Sequence, residues 1–518
     1  MPVGPEMPSI AVLADIAAGF GLDISDEDLA SYQALAAGTV DACRLIEKYP
    51  EKKLPVKYPR DAGYRPMPED NPQNGWYWRC DIKGSGKGVL KGLTVAVKDV
   101  VCVSGLPMMN GSRVLEGYVA DVDATIVTRI LDAGGTIIGK ANCEDFSFSG
   151  GGHTCSHGPV GNPRKPTHNP GGSSNGSAVV LVNESVDVAI GGDQGGSIRL
   201  PASWSGCYGL KPTYGLVPYT GCAMIETTLD HLGPMARDTE GLARLLTAIA
   251  GLDPEDPRQR GVIPANYSVD YLAAMKKGVK GKKIALVREG FAQDGKDVGF
   301  PAASKVVDKR VAEATRMFKQ LGAEVEEISI PMHLDGFQIW NVIITLGSAE
   351  FMLKGAGMGS NWAGFYNSNL GEALARGMRT RINDLPATAK SVLLTGEYLQ
   401  REYLGRYYWK AQNLRHMVNA AYDEALSKYD MLAMPTTPFP ATEMVGRDAS
   451  IKDIVGSGLN MLRNTSVADV TGHPSISIPC GMEKGLPIGL MLTAKHLDES
   501  TLLAASAAFE GLGDWKKM

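Results

Sequence analysis

The chain has no CxxC pair. Its eight cysteines, Cys43, Cys80, Cys102, Cys143, Cys155, Cys207, Cys222 and Cys480, are scattered through 518 residues. Disulfide frameworks belong to short secreted chains, so free thiols in a reducing compartment are expected. No run of about 18 apolar residues exists, which excludes a spanning helix. No basic segment followed by an apolar one opens the chain. Residues 10–22 are apolar, but Asp15 interrupts them and Asp23, Asp26, Glu27 and Asp28 follow, as in an amphipathic helix and a turn. A cytoplasmic protein is expected. Positive charge is not in surplus: the net charge is -5 and the pI near 6.0. That excludes charge-driven binding to nucleic acid or to an anionic membrane.

What is present reads as an ordinary globular chain, with 44% apolar and 21% charged residues. Its length suits one large domain with additions. Residues 1–60 carry apolar positions at helical spacing, among them Leu29, Tyr32, Leu35 and Ile46. Pro55, Pro59, Pro66, Pro68 and Pro72 mark a surface linker. Residues 1–80 are therefore expected to be a helical extension with its linker, and residues 81–518 the main domain. There, strands are expected at residues 93–97, 136–138, 186–190, 283–287, 324–330, 431–434, 475–479 and 488–492. Helices are expected at 123–133, 303–321 and 498–512. Alternating strands and helices point to an α/β fold with a mixed sheet. Residues 335–427 read as a mainly helical insertion, and 401–429 as one long helix.

The chemistry concentrates in residues 169–213, which hold two Gly-Gly-Ser units: Gly171-Gly172-Ser173-Ser174 and Gly195-Gly196-Ser197. A strand ending at Ile190, a glycine-rich turn and then Ser197 is how a nucleophile is presented on a sharp bend. Glycines let successive N–H groups converge on one concavity. The expected donors to an oxyanion are the N–H groups of Gln194, Gly195, Gly196 and Ser197. Losing one such donor typically costs about 3–4 kcal/mol of transition-state stabilisation. A serine needs a base. None of the eight histidines has a context that singles it out, and His153, His157 and His168 fall in loop sequence. A desolvated lysine is the alternative. Lys98 ends the apolar strand of residues 93–97, and Asp99 alternates to the other face.

This whole stretch resembles the amidase signature family. The motif GGSS…GGDQGGSIR…GLKPT carries the likeness, with Lys98 75 residues before Ser173 and Ser173 24 before Ser197. Further blocks are Val95-Ala-Val-Lys-Asp99, Gly139-Lys-Ala-Asn142, Asp230-His-Leu-Gly-Pro234 and Gly472-His-Pro-Ser-Ile-Ser-Ile-Pro479. The resemblance covers roughly residues 90–496. It implies a central mixed sheet with helices on both faces. It also implies a catalytic triad in which Ser197 forms the acyl-enzyme, Ser173 bridges from a non-proline cis peptide after Gly172, and Lys98 is the base. No cofactor and no metal are implied for the reaction. The N-terminal extension, residues 108–113 (MMNGSR) and residues 339–343 (IWNVI) are most similar to bacterial amidases that accompany nitrile-hydrating enzymes. Those act on small neutral aliphatic and aromatic amides, and they suggest a homodimer. They also suggest that Ile339 and Trp340 line the acyl pocket; ordinary core is the competing reading. Trp204-Ser205-Gly206 and Asn175 depart from the family pattern and bear on pocket shape, not on the triad.

Other readings stay open. The same triad serves anilides, hydrazides, carbamates and esters, and the family includes the amide-hydrolysing subunit of glutamine-dependent amidotransferases. Gly84-Ser-Gly-Lys-Gly88 lacks phosphate-loop spacing and reads as a solvated linker. Cys143 reads as a buried structural thiol, Glu144 and Asp145 as loop charges, and Trp76-Tyr77-Trp78 as an anchor of the linker on the core. Asp193 and Arg199 read as a scaffold pair that fixes the loop.

Overall fold

A computed structural model describes residues 4–296, 300–446 and 448–518. It divides into one compact unit running to Leu54 and a second from Pro55 to Met518. No helix among the described residues is long and apolar enough to cross a membrane.

The first unit is a pair of helices, Ile10–Phe20 and Asp26–Ile46. Serines start both: Ser9 Oγ accepts from the Val12 N–H at 3.3 Å and Ser25 Oγ from the Asp28 N–H at 3.1 Å. Gly21, in the left-handed conformation, ends the first helix. Asp26, Glu27 and Asp28 place negative charge at the positive end of the second.

The second unit is built on one eleven-stranded mixed sheet. Its strands are β1 (Trp76–Lys83), β2 (Thr94–Lys98), β3 (Thr136–Ala141), β4 (Val188–Asp193), β5 (Tyr208–Lys211), β6 (His231–Ala236), β7 (Lys283–Val287), β8 (Glu324–Ile328), β9 (Met431–Pro435), β10 (Ser475–Glu483) and β11 (Leu486–Ala494). They lie in the order β1-β3-β2-β4-β6-β5-β10-β11-β9-β7-β8. The pairs β2/β3, β2/β4, β7/β9 and β7/β8 are parallel and the others antiparallel. Every residue of β4, β5, β6, β9 and β11 is buried. A strand buried along its whole length needs cover on both faces, and helices supply it. The expected α/β architecture is what the chain adopts.

Three strands escaped the hydrophobic pattern. The Trp76-Tyr77-Trp78 row opens the edge strand β1, in which Trp76 and Tyr77 are buried. β5 and β6 carry Gly209, Gly233 and Pro234, which break an apolar run. Residues 401–429 are not one helix. The chain breaks at Leu404 (φ 56°) between helices Ala387–Tyr403 and Arg406–Lys428. Gly405 follows the break, and glycine is a poor helix former.

Candidate active site

Three neighbouring segments assemble the site. β2 delivers Lys98 from its C-terminal end. β4 delivers the turn that carries Ser197, which leads into the helix Arg199–Ser205. Beside them, the loop of Gly171 to Ser174 enters the helix Asn175–Val182. β2 and β4 are adjacent and parallel, so both chain ends emerge at the same edge of the sheet.

Lys98 Nζ donates to Ser173 Oγ at 2.6 Å and to the Gly192 carbonyl at 3.4 Å. Both side chains are fully buried. Burial pushes the Lys98 amine down to about 8, although Cys143, Asp193, Asp230 and Glu144 all pull it back up. The Gly172–Ser173 peptide is cis. The Gly172 N–H donates to the Gly150 carbonyl at 2.7 Å, and the Glu144 N–H to the Ser173 carbonyl at 3.2 Å. A Cβ on Gly172 would lie 2.9 Å from Glu144 Cγ. Glu144 is more than a loop charge. Its buried carboxylate accepts from Asn175 Nδ2 at 2.6 Å and from Thr154 Oγ1 at 2.8 Å, pinning the start of the 175–182 helix.

The two glycine-serine turns lie against each other, because the Ser174 N–H donates to the Ser197 carbonyl at 3.2 Å. Ser174 Oγ braces β4 through both the N–H and the carbonyl of Gly192, each at 3.1 Å. Ser197 itself is 6% exposed and faces a cavity of about 270 Å³.

The turn before Ser197 is held peptide by peptide. Trp340 Nε1 donates to the Gln194 carbonyl at 2.6 Å. Leu200 N–H donates to the Gly196 carbonyl at 2.7 Å. In a trans peptide the N–H points opposite the carbonyl. Each bond therefore aims the following N–H, of Gly195 and of Ser197, the other way. Among the described residues, the N–H groups of Gln194, Gly195 and Ser197 have no protein acceptor. Gly196 is a correction. Its N–H is taken by the Asp193 carboxylate, so it is not free for a substrate oxyanion. Gly196 serves the turn differently: φ is +137°, and a Cβ there would meet Thr465 Oγ1 at 2.3 Å.

Asp193 and Arg199 hold each other in the interior. Arg199 gives Asp193 two hydrogen bonds at 3.0 Å and reaches Asp469 at 2.8 Å. Burial would raise the Asp193 carboxyl, but the Arg199 guanidinium outweighs it and holds the group well below the usual range. Arg199 is fully buried and is absent from the cavity wall.

The cavity has an apolar floor of Phe148, Ile225, Trp340, Ile344, Leu459 and Leu462, with Ser147, Asn341, Thr345, Ser391 and Thr395 as polar members. No histidine lines it among the described residues. Trp340 is on the wall, whereas Ile339 is buried elsewhere. One step along a helix turns the side chain by about 100°, and the step back from Trp340 to Ile339 leaves the face that meets the cavity. The helix Met332–Gly347 instead contributes Trp340, Asn341, Ile344 and Thr345, the helical repeat of one face. That repeat was readable around Trp340. The contributions of Ile225, Val392 and Leu462 come from distant segments and carry no local signal.

The amidase family model matches residues 73–503. An enantioselective amidase of Rhodococcus rhodochrous is 42% identical over 87% of this chain and 85% of its own length. A glutamyl-tRNA(Gln) amidotransferase subunit of Trichormus variabilis is 35% identical over 83% of this chain and 86% of its own. The crystal structure of the peptide amidase of Stenotrophomonas maltophilia superposes with a TM-score of 0.67 at 27% identity, covering 82% of this chain and 83% of that one. The chain belongs to the amidase signature family. It is a hydrolase acting on carbon–nitrogen bonds.

Proposed function

We propose that the protein hydrolyses small, neutral aliphatic or aromatic amides to a carboxylic acid and ammonia. Ser197 is the nucleophile, Ser173 the bridging serine and Lys98 the base. The observation that carries this reading is the 2.6 Å contact of a buried, depressed lysine with Ser173, beside Ser197 at the cavity wall. Neutral Lys98 accepts the Ser173 proton as Ser173 accepts the Ser197 proton. Ser197 Oγ attacks the amide carbon. The oxyanion rests on the free N–H groups of the turn, those of Gln194, Gly195 and Ser197. The proton returns through Ser173 to the leaving nitrogen, and the C–N bond breaks. Water then attacks the acyl-serine by the same relay, releasing the acid and restoring Ser197.

The apolar floor of Ile225, Trp340, Ile344 and Leu462 supports an uncharged acyl group, since no charged side chain lines the cavity among the described residues. The same relay cleaves anilides, hydrazides, carbamates and esters. The likeness to amidotransferase subunits favours a second reading, in which glutamine supplies the amide and a partner is required. Ammonia release is measured from acetamide, propionamide, benzamide, phenylacetamide and glutamine, with Ser197→Ala beside the wild type. Release from the neutral amides that vanishes in the variant supports the proposal. Release from glutamine alone supports the second reading. Silence across the panel from folded protein rejects the proposal and points to a missing partner subunit or to an anilide, hydrazide, carbamate or ester substrate.

A further inference from the structure

Away from the cavity, three side chains from three separate segments converge. Asp423 stands on the helix Arg406–Lys428, His473 in the turn between the helix Ser466–Thr471 and β10, and His496 two residues past the end of β11. One donor atom from each lies within 4.8 Å of the others. His473 Nε2 is 3.1 Å from Asp423 Oδ1, and the two imidazole rings overlap with centroids 3.9 Å apart. His473 is fully buried, while Asp423 and His496 are exposed.

We propose that Asp423, His473 and His496 form a binding site for a borderline divalent transition-metal ion, zinc foremost, with water completing the shell.

Two imidazoles and one carboxylate are a donor set suited to such ions and too nitrogen-rich for calcium or magnesium. A tetrahedral ion with bonds of about 2.0–2.1 Å needs its ligand atoms roughly 3.3 Å apart. The Asp423–His473 pair is already at that spacing. His496 closes the rest by rotating, since it is exposed and makes no hydrogen bond to protein among the described residues. His473 Nδ1 has no hydrogen-bond partner among them either, so no second bond fixes which nitrogen the ring presents. Lys211, whose charge both rings feel, is itself pushed down to about 7 by burial, so it opposes an ion with less than a full charge. A bound ion ties the long helix to the ends of β10 and β11, so it stabilises the folded chain by linkage.

The full-length protein is stripped with EDTA, dialysed and titrated with zinc chloride by calorimetry. Its melting temperature is followed with and without zinc. Cobalt is used in parallel, for its visible absorption on binding nitrogen ligands. The expected result is one zinc per chain, a higher melting temperature, and a cobalt spectrum. His496→Ala and Asp423→Asn, both at exposed positions, should each weaken binding at least tenfold and abolish the melting shift. Amide hydrolysis by the metal-free variants should match the metal-free wild type, because neither residue touches the cavity. Absence of zinc binding overturns the proposal. So does binding that the two variants leave unchanged, which would place the ion elsewhere.

Discussion

In the proposed mechanism, the environment of Lys98 sets the rate profile. Burial makes its ammonium costly and lowers the amine to about 8, and the neighbouring acids moderate that effect. A base must be unprotonated to accept a proton, so activity needs pH above the amine's value. With that value at about 8, kcat/KM for a neutral amide should rise nearly tenfold per pH unit on the acid side and level off above about 8. Lys98→Arg, permanently charged, should remain inactive at every pH tested. A flat profile through pH 8 would remove Lys98 from the base role. The sequence pointed to Lys98 because a lysine ending an apolar strand is desolvated by its own strand's burial. It could not place Gly196. Four consecutive N–H groups looked equivalent along the chain, and only the fold shows Asp193 occupying one of them.

At the scale of elements, the β4 turn and the following helix are joined by charge. Arg199 sits between Asp193 and Asp469 with no exposure at all. Removing it strands two buried carboxylates, and breaking a buried pair typically costs about 3–5 kcal/mol. Arg199→Met should therefore lower the melting temperature clearly and reduce hydrolysis, because Asp193 no longer fixes the Gly196 and Ile198 N–H groups. Arg199→Lys should not restore either property, since an ammonium cannot make the forked contact. Unchanged melting of Arg199→Met would show that the triad of charges holds nothing together. Asp193 and Arg199 were readable as a pair, being six residues apart with opposite charge. Asp469 was not, because it lies 270 residues away from Arg199.

Over the whole molecule, the helical segment beyond β8 returns to the edge of the sheet that carries Ser197. There Trp340, 146 residues from Gln194 in the chain, holds the Gln194 carbonyl and walls the cavity at once. Trp340→Phe keeps much of the ring volume but loses the N–H. The loss of about 1–1.5 kcal/mol for one hydrogen bond should lower kcat about tenfold with little change in melting. An unchanged kcat would mean that the turn keeps its shape without Trp340. A fall in melting as large as that of Arg199→Met would make the contact structural.

By itself the sequence determined the α/β class and the two Gly-Gly-Ser turns, and it singled out Lys98 and Ser197 as candidate chemical residues, with Ser173 supplied by the family resemblance. Those properties are local: strand periodicity, glycine at tight turns, a nucleophile at a bend. The edge strand β1 and the interrupted strands β5 and β6 were decided by tertiary structure. There, pairing with neighbours overrides local propensity. Tertiary structure alone also decided which N–H groups stay free, which face of the helix Met332–Gly347 meets the cavity, and that Asp423, His473 and His496 meet. Each depends on contacts between segments far apart in the chain, and no local pattern encodes them.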